Sequence, residues 1–300
     1  MVVTRIQGGM GNQMFQYAIG LANAKRLNTE LYIDDSLLQV KLDFEHAVYR
    51  SYELRYFKIE GQLANRQIIH QFNFAGNERF LENAWLKIKF KINPPINIIQ
   101  KGNEIEPSYL HAHNNSCFVG RWQSEVFFKD YAIEVKNAFA IKEEYLKASR
   151  EVIKQFQDKP LCAIHVRRGD YVSNPFYASH LGALPYSYYL EGMRMVKEKY
   201  PEVRFLVFSN DYLWCKEVFT FTDVLFAKDF MPDAGAIEEF AAMTLIPHHI
   251  ISNSTFSWWA AWLAEKELSM VVAPAHWAKT SQFTPIEIIP SRWIKVHNSF

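Results

Sequence analysis

Apolar and polar positions follow a more regular pattern in the second half of the chain than in the first. Beyond Pro160, short apolar runs of strand length alternate with longer segments that have helical spacing. The predicted strands are Leu161 to Val166, Arg204 to Phe208, Val224 to Ala227, His249 to Ser252 and Met270 to Ala273, and the predicted helices are Tyr186 to Lys199, Tyr212 to Phe219, Ile237 to Leu245 and Phe256 to Glu265. This alternation predicts a parallel sheet covered by helices, with ligands beyond the carboxyl ends of its strands.

The N-terminal residues predict a second α/β unit. The predicted elements are a strand from Val2 to Gln7, a tight turn from Gly8 to Gly11, a helix from Asn12 to Leu27 and a strand from Glu30 to Ile33. From about Asp43 to His113 neither period persists, so the pattern assigns no elements there. Helices are predicted again from about Glu125 to Ala138 and from Lys142 to Gln157.

The chain length fits two domains, because each half is close to the roughly 150 residues of an ordinary domain. The breaker sequence Asp158-Lys159-Pro160 precedes the regular half. We therefore predict an N-terminal domain over residues 1–158 and a C-terminal domain over residues 159–300, with a cleft between them.

The overall charge excludes two classes of partner. The chain has 33 Lys and Arg against 32 Asp and Glu, which predicts neither nucleic-acid binding nor a polybasic membrane surface. Any anion site must therefore be local. Apolar residues make up 49% of the chain, yet no apolar run reaches the roughly 18 residues of a transmembrane helix.

The N-terminus and the cysteines indicate where the protein works. Met1 to Arg5 lacks the features of a signal peptide, so we expect the fold to begin at residue 1. The three cysteines have no metal-ligand spacing, which predicts a reducing compartment without disulfides or structural zinc. The expected localisation is cytoplasmic, at most peripheral at the inner face of the membrane.

Two adjacent arginines end the first strand of the regular half, in His165-Val166-Arg167-Arg168-Gly169-Asp170-Tyr171. A guanidinium group matches phosphate oxygens with two parallel donors, so this loop predicts a phosphate site. The alternative is a solvated turn in which Arg168 and Asp170 form a weak local ion pair.

Two further loops follow strands of the same predicted sheet. Ser252 to Ser257 places small hydroxyl residues at the start of a helix, which suits either a phosphate cradle or an ordinary N-cap. In Ser209-Asn210-Asp211, the Asp211 carboxylate suits a base edge or a ribose, or caps the next helix. Because the serine loop would face the same sheet edge as Arg167, we favour its ligand-binding interpretation, while both roles of Asp211 stay open.

The glycine turn from Gly8 to Gly11 is also compatible with a different function. A glycine-rich turn before a helix, followed by Asp34 at the end of the next strand, imitates the dinucleotide fingerprint of NAD-dependent oxidoreductases. Met14 stands where that fingerprint has Gly or Ala, so the match is weak. The glycines still predict a close approach between this backbone and another group.

Taken together, the loops resemble those of the bacterial alpha-1,2-fucosyltransferases. The matching segments are Gly8 to Tyr17, Gly120 to Glu125, His165 to Tyr171, Phe208 to Asp211 with Trp214 to Lys216, Ser252 to Trp259, and Ala273 to Trp277. The resemblance implies an α/β fold of the GT-B type, with two Rossmann-like domains facing a cleft. It implies GDP-fucose in the C-terminal domain, a galactose-terminated acceptor in the N-terminal domain, and inverting transfer to the galactose 2-hydroxyl without a metal or other cofactor.

The resemblance also implies roles for individual residues. Arg167 would contact the β-phosphate beside His165, while Arg168 and Asp170 would brace the loop. The remaining implied donor-site residues are Gly11, Asn12, Asp211, Ser254, Thr255 and Ser257. Candidates for the base that deprotonates the acceptor are Asp170 and His180, and candidates for acceptor binding are Trp122 and Gln123. Many relatives have Asp-Asp where this chain has Asn210-Asp211, which leaves the guanine contact open.

Several alternatives stay open at this point. Another GDP-sugar, another linkage and a noncatalytic carbohydrate-binding protein are each compatible with the same loops. The acceptor is either a lipid-linked glycan such as an O-antigen repeat or a host-like oligosaccharide, and the oligomeric state is not predicted. Aromatic and basic residues form either an acceptor platform or part of the core. They are Tyr49, Arg50, Tyr52 and Trp122. The alternation of Lys87, Lys89 and Lys91 with apolar residues favours a half-exposed strand over a membrane contact.

Overall fold

The computed structural model describes residues 1–39, 50–74, 94–102, 105–156, 158–285 and 287–300. The chain forms two compact units, Met1–Ala140 and Ile141–Phe300. Within the described ranges, no helix has both the length and the apolar character needed to cross a bilayer.

The first unit is built on a parallel sheet of five strands in the order β3-β2-β1-β5-β4. Its elements are β1 (Val2–Arg5), α1 (Met10–Arg26), β2 (Leu31–Asp34), α2 (Ser36–Gln39), β3 (Gln62–Leu63), α3 (Arg66–Phe74), β4 (Ile96–Ile99), α4 (Pro107–Leu110), β5 (Ser116–Val119) and α5 (Ala132–Ala138). Short 3₁₀ turns occur at Leu54–Tyr56, Glu125–Phe127 and Lys129–Tyr131.

The second unit is built on a parallel sheet of six strands in the order β11-β10-β9-β6-β7-β8. Its elements are α6 (Glu143–Lys154), β6 (Leu161–Val166), α7 (Gly169–Ser173), α8 (Pro175–His180), α9 (Tyr186–Lys199), β7 (Arg204–Ser209), α10 (Tyr212–Val218), β8 (Val224–Phe226), α11 (Ala227–Phe230), α12 (Ala236–Thr244), β9 (His248–Ile250), α13 (Thr255–Ala264), β10 (Val271–Pro274) and β11 (Ile294–Val296), with a 3₁₀ turn at Ser281–Phe283. All six residues of β6 are buried, as expected for a central parallel strand covered by helices on both faces.

Two parallel sheets with helical crossovers confirm the predicted α/β class with two Rossmann-like units. In each sheet the strand order reverses beside a central strand, between β1 and β5 in the first unit and between β6 and β9 in the second. Such a reversal opens a crevice at the carboxyl ends of the strands, where ligands of these folds bind. The strand order therefore marks one candidate position in each unit.

The predicted elements differ from the observed ones mainly in the first unit. The helix predicted over Glu125 to Ala138 begins as two 3₁₀ turns, the first capped by the Ser124 side chain, which accepts from Val126 N at 3.3 Å. The two strands β3 and β4 lie in the stretch to which the pattern assigned no elements. Both are edge strands with exposed apolar residues, so they lack the buried alternation on which the prediction depends.

The division between the two compact units falls at a different residue from the predicted domain boundary. The division falls after Ala140, whereas the sequence pattern places it after residue 158. Helix α6 accounts for the difference, because it packs against α12 of the second unit, with Ser149 Oγ donating to Glu238 O at 2.8 Å. The acceptor-binding and donor-binding roles assigned to the two domains stay predictions.

Candidate functional site

Three predicted loops of the second unit lie side by side at the carboxyl ends of its strands. Strand β6 pairs with β7 on one side, with Val166 opposite Ser209, and with β9 on the other, with Ile164 opposite Ile250. The arginine loop after β6, the Asn210-Asp211 loop after β7 and the serine loop after β9 therefore share one edge. This edge includes the point where the strand order reverses.

His165 lies in the crevice between β6 and β9 and is only 7% exposed. Its Nδ1 is 2.7 Å from Ser252 Oγ, so the hydroxyl orients the ring across the two strands. Burial, reinforced by the positive charge of Arg167, lowers the pKa of His165 to about 3. The imidazole is therefore neutral at physiological pH and serves as an oriented hydrogen-bonding group rather than as a cation.

The two arginines have different partners from those considered in the sequence analysis. Arg167 Nη2 lies 2.6 Å from Asp170 Oδ2, and its guanidinium lies 5.6 Å from the Tyr171 ring. Arg168 lies 4.4 Å over the Trp214 ring, and its Nε is 3.2 Å from Asp211 Oδ2. The Arg168–Asp170 pair of the alternative interpretation is thus not observed. Arg167 pairs within its own loop, and Arg168 pairs with the loop after β7.

Asp211 and Arg168 brace the strand ends to each other. The Asp211 carboxylate also accepts from Trp214 N at 3.4 Å, which makes it the N-cap of α10. The Arg168 Nε–H is not directed at a hydrogen-bond acceptor, so this contact acts through charge and through the stacking on Trp214. The helix-cap interpretation of Asp211 is therefore observed, and a contact with the nucleotide stays a prediction.

The serine loop leads into α13, whose N-cap is Ser254. The Ser254 side chain makes no capping hydrogen bond, and Thr255 is only partly buried. Ser257 is fully buried, and its hydroxyl donates to Ser254 O at 3.2 Å and Ser252 O at 3.5 Å. We therefore correct the role of Ser257 from ligand contact to loop support and keep Ser254 and Thr255 as candidate phosphate ligands.

The loop is further fixed by Asn253, for which the sequence predicted no role. This side chain is 1% exposed, and its Nδ2 lies within 3.0 to 3.3 Å of three carbonyl oxygens, those of Leu181, Gly182 and Trp277. It ties the serine loop to the segment after His180. In the sequence, the signal that could have indicated this role was an asparagine between two serines at the end of a predicted strand.

The two candidate bases have different surroundings. Both Asp170 oxygens accept hydrogen bonds, one from Arg167 and the other from Asn210 Nδ2 at 3.3 Å. His180 Nδ1 lies 2.8 Å from Phe176 O. Because a carbonyl cannot donate, Nδ1 carries the proton and Nε2 of the neutral ring carries the lone pair that a base needs.

In the first unit, the glycine turn and the Gly120 to Gln123 loop meet beside the reversal between β1 and β5. Gln123 Nε2 donates to Asn12 Oδ1 at 2.7 Å. Gly11 is buried in the first turn of α1. Gly8 has a φ of +78°, a backbone conformation that favours glycine.

An arginine lies beside the glycine turn, although its position does not require glycine. A Cβ atom on Gly9 would lie 3.8 Å from Arg50 Cζ, which is an ordinary van der Waals contact. Burial raises the pKa of nearby Glu53, and the Arg50 charge opposes that shift. Tyr49 lies outside the described residues, as do Lys87, Lys89 and Lys91.

Two buried glutamines hold the same loops together and had no role in the sequence analysis. Gln13 Nε2 donates to Gly8 O and Ser51 O, both at 2.8 Å, and its Oε1 accepts from Glu53 N at 2.9 Å. Gln16 donates to Gly120 O at 3.0 Å. Polar residues on the inward face of α1 were the available signal, because buried amides need partners.

Trp122 is a core residue, which corrects its assignment to acceptor binding. Its side chain is fully buried, with edge-to-face contacts to Tyr109, Phe118 and Phe127 at ring distances of 5.0 to 5.7 Å. A ring without exposed surface cannot stack on a sugar. Gln123 is 8% exposed and lies against Asn12, so its predicted role stays open to test.

The dinucleotide interpretation fails at Asp34. This carboxylate is 1% exposed, with Oδ2 bound to Arg5 Nε at 2.6 Å and Oδ1 accepting from Ser36 N at 3.0 Å. Because the side chain is buried and paired with Arg5, it presents no accessible oxygen to the ribose hydroxyl that the fingerprint requires. Met14 is fully buried between helix and sheet, where the fingerprint has a small residue.

Comparison with known proteins identifies the family. The model of "Glycosyl transferase family 11" matches residues 1–296. The chain belongs to glycosyl transferase family 11. The family predicted from the motifs is thereby confirmed, and the chain is a glycosyltransferase by descent.

Individual family relatives differ in the sugar that their names specify. The chain is 30% identical to an alpha-1,2-colitosyltransferase of Escherichia coli, over 98% of both chains. It is also 30% identical to galactoside alpha-(1,2)-fucosyltransferase 1 of Alouatta belzebul, over 54% of this chain and 44% of that one. Among solved structures, POFUT1 in complex with GDP has a TM-score of 0.49 at 14% identity, covering 90% of this chain and 97% of that one.

Proposed function

We propose that this family 11 protein transfers L-fucose from GDP-β-L-fucose to the 2-hydroxyl of a galactose-terminated glycan, with inversion, to form an alpha-1,2 linkage. The observation that carries the proposal is the cluster of Arg167, neutral His165 and the start of α13 at the strand reversal of the second unit. A guanidinium cation, a neutral imidazole and a helix N-terminus together suit a diphosphate.

Cleavage of the bond between the sugar and the phosphate leaves positive charge on the ring and negative charge on the departing GDP. Arg167 and the first N–H groups of α13 would stabilise the charge on GDP, which grows as the bond breaks. Asp170 keeps the guanidinium in place through its 2.6 Å ion pair. A guanidinium has five N–H donors, and one of them serves this pair.

His180 is the better of the two proposed bases. Its Nε2 has the lone pair, whereas both oxygens of Asp170 already accept hydrogen bonds within the loop. His180→Gln should therefore change the pH profile of turnover, and Asp170→Asn should lower turnover at every pH. If neither substitution alters the pH profile, both assignments of a base are wrong.

Colitose transfer is the second candidate, because the relative that matches nearly the whole chain is named for it. Colitose lacks the 3-hydroxyl of fucose. A site built to hydrogen-bond that hydroxyl would reject the deoxy sugar strongly, whereas an apolar site would discriminate little. Direct competition between the two donors therefore distinguishes these activities.

The decisive experiment incubates the purified chain with EDTA, one donor at a time and a panel of galactose-terminated acceptors, with the product linkage determined by NMR. An alpha-1,2-fucosylated product supports the donor, the linkage and metal independence together. A colitosylated product alone transfers the assignment to the second candidate. GDP-fucose binding without transfer keeps the donor site and rejects the acceptors, and no binding of either donor overturns the proposal.

A further inference from the structure

Asn210 lies at the centre of the contacts that shape the arginine loop. Its Oδ1 accepts from the backbone N–H groups of Arg168 at 2.9 Å and Gly169 at 3.1 Å. Its Nδ2 donates to Asp170 Oδ1 at 3.3 Å. One exposed side chain from the β7 loop thus holds three successive residues after β6.

The orientation of this amide follows from its partners. Two N–H donors converge on one end of the group, so that end must be the oxygen, and the nitrogen faces the Asp170 carboxylate. An amide satisfies both sides of the contact at once. A carboxylate at this position would accept from the same N–H groups but would face Asp170 with a second negative charge.

The backbone beside Asn210 is adapted to this contact. A Cβ atom on Gly169 would lie 2.9 Å from Asn210 Nδ2 and 3.2 Å from its Cγ. Any larger residue at position 169 would displace the amide. Gly169 and Asn210, from the loops after two neighbouring strands, are therefore matched to each other in size.

We propose that Asn210 is a positioning residue that sets the direction of Arg167 toward a nucleotide diphosphate, acting through Gly169 and Asp170. Arg167 is bound to Asp170, and Asp170 is bound to Asn210, so the amide is one step from the guanidinium. The inference rests on the proposed function in taking GDP as the ligand. Asn210 itself is not assigned a contact with it.

The charged groups around the amide determine what Asn210→Asp does. Asp170 faces the substituted atom, Arg167 lies on the far side of Asp170, and Arg168 is paired with Asp211 from the same loop as Asn210. Two carboxylates at this distance raise the pKa of one of them, and the arginines oppose that shift only in part because the substitution adds an unbalanced negative charge. Protonation restores an O–H donor where the amide N–H was.

The test measures GDP affinity by calorimetry between about pH 5.5 and about pH 8, where a shared carboxylate proton changes occupancy. Asn210→Asp should bind GDP more weakly than the wild type at high pH, and the difference should shrink as the pH falls. Asn210→Ala should lose roughly tenfold in affinity at every pH, which corresponds to about 1.4 kcal/mol, the size of one or two lost hydrogen bonds. Gly169→Ala should weaken binding in the same direction without the pH signature.

The matched control is Asn174→Asp. Asn174 also uses its oxygen to accept from backbone N–H groups, those of Phe176 at 2.9 Å and Tyr177 at 3.4 Å, where it caps α8. Aspartate is an equally good cap, so this variant should keep wild-type affinity and pH dependence. Thermal midpoints within a few degrees of the wild type confirm folding, because each substitution removes only local contacts of exposed or partly buried residues.

The outcomes separate the inference from the proposed function. If the wild type does not bind GDP, the proposed function fails. If the wild type binds GDP and Asn210→Ala binds equally well, the positioning role is rejected while the proposed function stands. A pH response of Asn210→Asp that matches that of Asn174→Asp also rejects it.

Discussion

The two sheets place their loops alike at the strand reversals and hold them with amide side chains, but the two edges differ in their charged and ionisable groups. In the second unit, two ion pairs and a neutral histidine surround the carboxyl ends of β6 and β7. In the first unit, neutral amides join the loops, through Gln13, Gln16 and the pair of Asn12 with Gln123. A guanidinium, that of Arg50, also lies beside the glycine turn of the first unit. The second edge is therefore distinguished by two arginines next to a buried neutral histidine, an arrangement that suits an anion.

The difference predicts that substitutions in the two edges fail in different ways. The second edge should lose ligand affinity without much loss of stability, because its arginines are partly exposed. The first edge should lose stability before it loses GDP affinity, because its glutamines are buried and bonded to backbone groups.

The largest effect is expected for Arg167→Ala, because in the proposed function this guanidinium stabilises the charge that grows on GDP. Turnover should fall roughly a hundredfold or more, the usual result of losing one preorganised donor, while the fold stays intact. Steady-state kinetics and thermal unfolding measure the two quantities. A variant that keeps more than roughly a tenth of wild-type activity contradicts the assignment.

The control for this variant is Arg150→Ala. Arg150 forms an exposed ion pair with Glu143 on α6 of the same unit, and exposed pairs contribute little. Its activity and stability should stay close to those of the wild type.

Gln13→Met should have the next largest effect, and on stability. The substitution leaves the carbonyls of Gly8 and Ser51 and the N–H of Glu53 without their partner, which should lower the free energy of unfolding by about 3 kcal/mol. Urea unfolding measures this loss, with Gln155→Met at the exposed C-cap of α6 as the control. GDP affinity should be unchanged under conditions in which the variant is fully folded. A lower affinity there would mean that the first edge affects GDP binding, contrary to our inference.

A third effect concerns acid stability in the second unit. Burial lowers the pKa of His249 to about 3, so the folded state takes up its proton only at much lower pH than the unfolded state does. Between about pH 6.5 and that folded pKa the unfolded state binds more protons, and stability therefore falls as the pH falls. His249→Gln keeps a donor for Met243 O and should flatten the pH dependence of the thermal midpoint. An unchanged slope would mean that other groups dominate acid unfolding.

The smallest effect is expected for Ser257→Ala. The lost hydrogen bonds to Ser252 and Ser254 should cost about 1 kcal/mol of stability, and GDP affinity should change by no more than about twofold. Calorimetry of the variant checks both. A tenfold weaker affinity would restore Ser257 as a ligand contact.

The sequence predicted elements best where burial was periodic. The ends of β6 and α9 match the predicted ranges, because buried apolar runs and helical spacing persist through both. The edge strand β4 was missed because it has only four residues and exposes Ile96 and Ile99, so its apolar positions do not mark a buried face.

The site residues were predicted by type and by position after a strand, and type does not give the direction of a side chain. Ser257 and Trp122 have chemistry suited to phosphate and sugar, yet both point into the core. Likewise, the choice of Asp170 for Arg167 and Asp211 for Arg168 depends on how the loop turns, which no local pattern encodes.

The hydrogen bond between His165 and Ser252 joins residues 87 positions apart in the chain. Strands β7 and β8 lie between His165 and Ser252 in the sequence. The crevice therefore forms only after the two halves of the sheet have docked. Contacts of such long sequence separation form late because chain entropy must be lost first. A nucleotide that binds in this crevice would therefore stabilise only the completed sheet. Among newly synthesised chains, it would protect from proteolysis only those that have finished folding.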